Sequence, residues 1–209
     1  MNTIKCSYFR NIQSKKASEI ITLADFVERI KTYDDKVIKA RAYLETGNRK
    51  GYDAAKRALP AYTIGRTFDH NERGNQNAHA QGVIVIDVDG IDPSIVDAVR
   101  DAFAFYPSCL LSAISCSGAG VFAVIKVDPD LPASREGVEA LQQDVTAYLK
   151  SRFQDELSEK FGHVDASCKD LARLRITTYD PDCIANENAT TWQCATDWGK
   201  PKTRRELIA

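Results

Sequence analysis

Apolar and polar positions alternate from Thr3 to Phe9, which predicts a strand near the start of the chain. Thr22-Leu23-Ala24-Asp25 has the spacing of a capping box, so a helix is predicted from there to about Tyr33. Further helices are predicted over Lys36 to Leu44 and Gly51 to Ala58, the last stopped by Pro60. Ala61 to Gln81 is polar, with Gly65, Arg66, His70, Arg73, Gly74 and His79, and predicts an extended loop of the kind that carries function. Val83 to Val88 is an unbroken apolar run, the signature of a core strand. Asp92-Pro93 supplies an N-cap and a first-turn proline for a helix to about Phe105. Cys109 to Ser115 and Val121 to Val127 are apolar strands joined by the small-residue turn between them, a hairpin signal. Val138, Leu141, Val145, Tyr148, Leu149 and Phe153 recur at helical spacing within a helix predicted from Ser134 to about Leu157. His163-Val164-Asp165 and Leu174 to Thr178 predict the last core strands.

This order predicts an α+β domain whose sheet pairs mainly antiparallel, with the N-terminal helices packed outside it. The hairpin argues against a doubly wound parallel fold. At 209 residues, 44% hydrophobic and 27% charged, the chain suits one globular domain, placed here at 1–196 with a polar tail or linker at 197–209. A formal net charge of −1 neither indicates nor excludes a nucleic-acid partner, since a basic groove can hide in a balanced total. The N-terminus lacks the apolar core of a signal peptide and no run reaches membrane-spanning length, which predicts a cytoplasmic protein with no membrane partner. The six cysteines are scattered and are expected to be reduced thiols; His163, Cys168, Cys183 and Cys194 match none of the usual zinc spacings.

The candidate chemistry starts where the core strand runs into Asp87 and Asp89. Side chains two apart on a strand share a face, so both carboxylates aim the same way and raise each other's pKa. A hard cation such as Mg²⁺ or Mn²⁺ between them relieves that repulsion and also takes phosphate oxygens as ligands. A plain strand exit into the Asp89-Gly90 turn is the competing reading. Ser115, Ser117, Gly118 and Gly120 form a turn whose backbone N–H groups can cradle phosphate, or which merely closes the hairpin. Asp165 is placed to bring a third carboxylate, as two-metal phosphoryl chemistry requires. Lys126, Arg173 and Arg175 are candidates to neutralise a triphosphate, with Arg173 and Arg175 on one strand face by spacing. Tyr62, Phe68 and Phe122 are either base-stacking platforms or core residues.

Ala58 to Phe68, Gly82 to Pro93, Ser115 to Gly120, Asp165-Ala166-Ser167, Ala172-Arg173-Leu174 and Tyr179 to Asp182 occur in one order. Together they resemble the N-terminal primase-polymerase-type domain of VirE-like and BT4734-like mobile-element proteins, a branch of the archaeo-eukaryotic primase superfamily. The resemblance covers about residues 3–183. It implies a primase-like mixed or antiparallel sheet flanked by helices, and a metal-dependent nucleotidyltransferase that adds nucleoside triphosphates on a single-stranded DNA template. By that similarity Asp87, Asp89 and Asp165 ligate Mg²⁺ or Mn²⁺ and catalyse; Ser115, Ser117, Gly118, Gly120, Lys126 and Arg173 are the residues expected from their own chemistry to bind nucleotide. A helicase or ATPase domain or protein is the implied further partner. Many superfamily members place a histidine after the small-residue turn, where this chain has Val121 followed by Phe122. That departure keeps open a non-catalytic nucleic-acid-binding module with a primase fold. The Asp-x-Asp-Gly end of the strand is also similar to the opening motif of haloacid-dehalogenase-type phosphatases.

Overall fold

The computed structural model describes residues 1–153, 159–167 and 170–194. The expected tail at 197–209, the end of the helix predicted to Leu157 and the zinc candidate Cys168 lie outside these residues.

An N-terminal sheet starts with β1 (Lys5–Phe9) and β2 (Glu19–Thr22), and β2 runs directly into α1 (Leu23–Lys31). The helix begins there because Thr22 and Asp25 form the expected capping box: the Asp25 N–H donates to Thr22 Oγ1 at 3.0 Å and the Thr22 N–H to Asp25 Oδ2 at 2.9 Å. Helices α2 (Asp35–Glu45) and α3 (Arg49–Ala58) follow, each with a side-chain N-cap, Asp34 and Asn48. The segment read as an extended loop instead folds into β3 (Ala61–Thr63), β4 (Arg66–Phe68) and β5 (Ala78–Ala80), with β4 and β5 paired as a two-stranded ribbon. Its polar residues hid short strands whose partners are distant in sequence, where a periodicity reading has nothing to hold.

The principal sheet contains β6 (Val83–Asp89), then after α4 (Val96–Phe103) the hairpin of β7 (Cys109–Ile114) and β8 (Val121–Lys126). Helix α5 (Arg135–Arg152) precedes three two-residue strands, β9 (His163–Val164), β10 (Arg175–Ile176) and β11 (Ile184–Ala185). The principal sheet has the order β11-β7-β8-β6-β9 and the N-terminal sheet β10-β3-β1-β2, with every pairing antiparallel. The α+β expectation holds. One expectation does not: the Leu174 to Thr178 strand is shorter than predicted and joins β3 of the N-terminal sheet, not the principal one, because Arg175 and Ile176 pair with Tyr62 and Ala61. Arg173 precedes that strand, so the shared strand face expected for Arg173 and Arg175 is not formed.

One face of the principal sheet, through Ile84, Ile86 and Val88, packs under α4 and the Val138, Leu141, Val145 and Leu149 stripe of α5. Burying each such side chain contributes about 1.5–3 kcal/mol. The other face, through Val83, Leu111, Phe122 and Val124, meets α1 and the N-terminal sheet, with Phe26 packed between Tyr62 and Phe122 at 4.8 and 6.3 Å. Tyr62, Phe68 and Phe122 are all buried, so they are core residues and not stacking platforms as folded. Among the described residues no helix is long and apolar enough to cross a membrane.

Asp180 ties the two halves together. Its carboxylate, 2% exposed, accepts from the Ile114 N–H at 2.7 Å and from Arg100 at 3.3 Å, and its N–H donates to the Ile30 carbonyl at 2.8 Å. Arg100 keeps Asp97 and Asp101 as partners at 3.0 and 2.9 Å, so what the loss of the Asp180 carboxylate strands is the Ile114 N–H. Asp180→Ala is therefore expected to lower stability by about 1–3 kcal/mol in urea unfolding; no measurable loss would show that this carboxylate does not hold the junction.

Candidate functional site

The face of β6 turned toward the N-terminal sheet carries Val83, Val85, Asp87 and Asp89, so the expected common aim of the two aspartates is formed. Strand β9 pairs beside the end of β6 with Val88 opposite Val164 and Asp89 opposite His163, and the Asp165 N–H donates to the Asp87 carbonyl at 2.8 Å. That pairing delivers the third carboxylate. Gly162 permits it: at φ +78° it sits so close to the strand that a Cβ there would stand 2.1 Å from the Asp89 carbonyl oxygen. Gln142 of α5 donates to the Asp165 carbonyl at 3.2 Å and holds the loop from outside.

Asp87, Asp89 and Asp165 line one cleft of about 180 Å³ together with Lys56, Arg173, Arg175 and the serines of the β7–β8 turn. Asp87 is ion-paired with Arg175, which reaches across from β10 and lies 4.3 Å over the Phe122 ring. Asp165 accepts from Arg173 at 2.9 Å, and from the Ser167 N–H and hydroxyl at 2.8 and 2.9 Å. Asp89 is pushed above the ordinary aspartate value, first by burial and then by the negative charges of Asp87 and Asp165.

Three N–H groups of the small-residue turn are taken up within it. Its Ser115, Gly118 and Ala119 N–H groups donate within the turn, to the carbonyls of Gly120 and Ser115 and to Ser117 Oγ. Arg41 of α2 fills the other side, donating to the Ser115 and Cys116 carbonyls at 3.1 and 3.2 Å and to Thr178 and Tyr179. What the turn offers the cleft is the pair of hydroxyls of Ser115 and Ser117, 3.1 Å apart. Gly120 lets Asp89 approach them, since a Cβ there would stand 3.1 Å from both Asp89 Oδ1 and Ser115 Oγ. Gly118, at φ +80°, faces Arg41.

Lys126 is not brought to the site. It pairs with Val83 at the far end of β6, and its ammonium donates to the Ala189 carbonyl at 3.1 Å. The concern over Val121 also shifts by one residue. Val121 packs into the helix-covered core, while Phe122, directly opposite Asp87, faces the cleft side and carries Arg175. His163 is exposed beside Asp89. Sequence reasoning missed Lys56 and Arg41, and named Arg66 only as part of a polar segment; each is an ordinary cation in a helix or short strand until the tertiary fold gives it neighbours.

The three carboxylates suit a hard divalent cation by donor chemistry, and the raised pKa of Asp89 marks negative charge that a cation relieves. As folded, two of them are turned onto arginines, and among the described residues no group of three or more His, Cys, Asp or Glu side chains is gathered closely enough to hold one ion. The same holds for the zinc candidates; Cys183 is a buried thiol whose pKa burial pushes up to about 11.

No curated protein and no solved structure matches this chain. A family model for the BT4734-like N-terminal domain matches residues 54–184, a span that runs from α3 to β11 and contains every charged side chain of the cleft. With well over half its length matched, the chain belongs to the BT4734-like family, in that family's N-terminal domain.

Proposed function

We propose that this domain is a nucleotidyltransferase of primase-polymerase type, which uses Mg²⁺ or Mn²⁺ to add nucleoside triphosphates on a single-stranded DNA template for a mobile element or phage. The convergence of Asp87, Asp89 and Asp165 from neighbouring strands on one cleft that also holds Lys56, Arg173 and Arg175 supports this reading. Carboxylates and cations side by side match a substrate that is a polyphosphate and a cofactor that is a cation. When bound, the divalent ion supplies Lewis-acid stabilisation of the attacking and leaving oxygens. Asp87, Asp89 and Asp165 would hold it. Lys56, Arg173 and Arg175 neutralise phosphate charge, and the Ser115 and Ser117 hydroxyls donate to phosphate oxygens.

A phosphatase of the haloacid-dehalogenase type asks Asp87 to attack phosphorus. The Arg175 guanidinium held against that carboxylate stabilises its charge and weakens it as a nucleophile.

Incorporation of labelled nucleotides on single-stranded DNA with Mn²⁺ or Mg²⁺ tests the reading. Products are expected from the wild type and not from Asp87→Ala/Asp89→Ala. A folded, cation-binding wild type that yields none overturns the enzyme reading in favour of a nucleic-acid-binding module.

The two aspartates are also expected to differ in stability when melted in EDTA. Asp89→Asn removes like-charge repulsion and should melt no lower than wild type. Asp87→Ala strands the mostly buried Arg175 and should cost about 2–3 kcal/mol. Equal losses for both would show that the Arg175 pair does not neutralise this strand end.

A further inference from the structure

A second opening, of about 700 Å³, adjoins the carboxylate cleft and shares Lys56, Asp89 and Ser117 with it. Helix α3 forms one wall. Arg49 and Lys56 lie two turns apart on that helix, so they stand on one face about 10 Å from each other. Lys56 marks the boundary with the cleft, whereas Arg49 lines only the new space. The charged side chains of the opening balance, with Arg49, Lys56 and Lys160 against Asp89, Asp92 and Glu159. A polyanion gains little there, but an uncharged group that carries hydroxyls and ring nitrogens finds both donors and acceptors. Leu44, Tyr52, Ile91 and Pro93 add apolar surface, and the volume is that of a pocket for a small organic ligand.

Arg49 is held as a platform. Its Nε is 3.3 Å from Asp53, and its guanidinium lies 5.3 Å over the ring of Tyr52, which is itself 1% exposed and so fixed in the core. The Arg49 side chain is 72% exposed, which leaves the guanidinium open on the side away from the ring. Nucleobases stack on guanidinium planes as they do on aromatic rings.

We propose that this pocket receives the sugar and base of the nucleoside triphosphate whose phosphates lie in the carboxylate cleft, with the base stacked on Arg49. The identity of the ligand rests on the nucleotidyl-transfer reading. Lys56, where the two spaces meet, takes the phosphate next to the sugar. One Asp92 oxygen is engaged by the Ser94 N–H and hydroxyl, at 2.9 and 2.6 Å. Its other oxygen and the Glu159 carboxylate accept from the sugar hydroxyls, a role open to groups that a phosphate would avoid. A guanidinium plane stacks on any base, so the pocket leaves the choice of base to the template, as templated addition requires.

The whole chain is titrated calorimetrically with ATP and with inorganic tripolyphosphate, both in excess Mg²⁺, so that the difference between them reports the nucleoside half alone. Wild type is expected to bind ATP about ten-fold more tightly than tripolyphosphate. Arg49→Ala is expected to lose that preference. Arg49→Lys is expected to lose it too, because lysine keeps the charge and lacks the plane. Arg49 is exposed in the first turn of α3, where alanine and lysine are both good helix formers, so both variants are expected to fold. Equal affinity for the two ligands in wild type overturns the proposal, and so does an Arg49→Lys protein that keeps the preference. If Arg49→Ala weakens binding of single-stranded oligothymidylate and leaves ATP binding as it was, the pocket belongs to the template strand and the proposal falls. A wild type whose preference for ATP depends on Arg49 but which incorporates no nucleotide sinks the nucleotidyl-transfer reading and leaves the pocket standing. One that incorporates nucleotide with a preference that Arg49 does not alter sinks the pocket alone, and one that binds neither ligand sinks both.

Discussion

Two ionised carboxylates at the end of a buried strand need neutralising, and in this protein Arg175 does that from the opposite sheet. The guanidinium crosses from β10 to Asp87 and lies on Phe122 as it does so, which joins the charged end of β6 to the apolar face beside it. Much of the architecture around the cleft follows from that contact. β10 has to belong to the N-terminal sheet for its arginine to approach from across the gap, and Phe122 has to face the same side as Asp87.

The segment that carries Arg173 and Arg175 is correspondingly well anchored. Asp180 fastens its end to α1, α4 and β7, while Arg41 clamps Thr178 and Tyr179 to the β7–β8 turn. Arg41 is largely buried, and burial lowers its pKa, yet four acceptors compensate its donors. Side chains that look like surface charges in the sequence thus act as struts. They place the arginines and the serine hydroxyls around the carboxylates without touching the cleft's contents themselves.

The charge arrangement also explains why the site resembles a latched state. Asp87 and Asp165 are satisfied by arginines and Asp89 holds its proton more tightly than an ordinary aspartate. As folded, the cleft's cations and carboxylates therefore neutralise one another.

Local features were legible in the sequence because local physics produces them. The Thr22 and Asp25 capping box, the apolar run of β6 with Asp87 and Asp89 on one face, and the α5 stripe each depend on residues within one or two turns of each other. The third carboxylate was legible as a candidate, but only the pairing of β9 with β6 delivers Asp165. Tertiary structure alone decided that β3, β4 and β5 form within a polar stretch, that β10 joins the other sheet, that Lys126 lies at the far end of its strand from the cleft, that Lys56 lines the cleft and that Arg41 clamps the β7–β8 turn. The reason is common to all of these: a short strand or a single charge carries no periodicity of its own, and its role is set by partners tens of residues away that only the folded chain brings within reach.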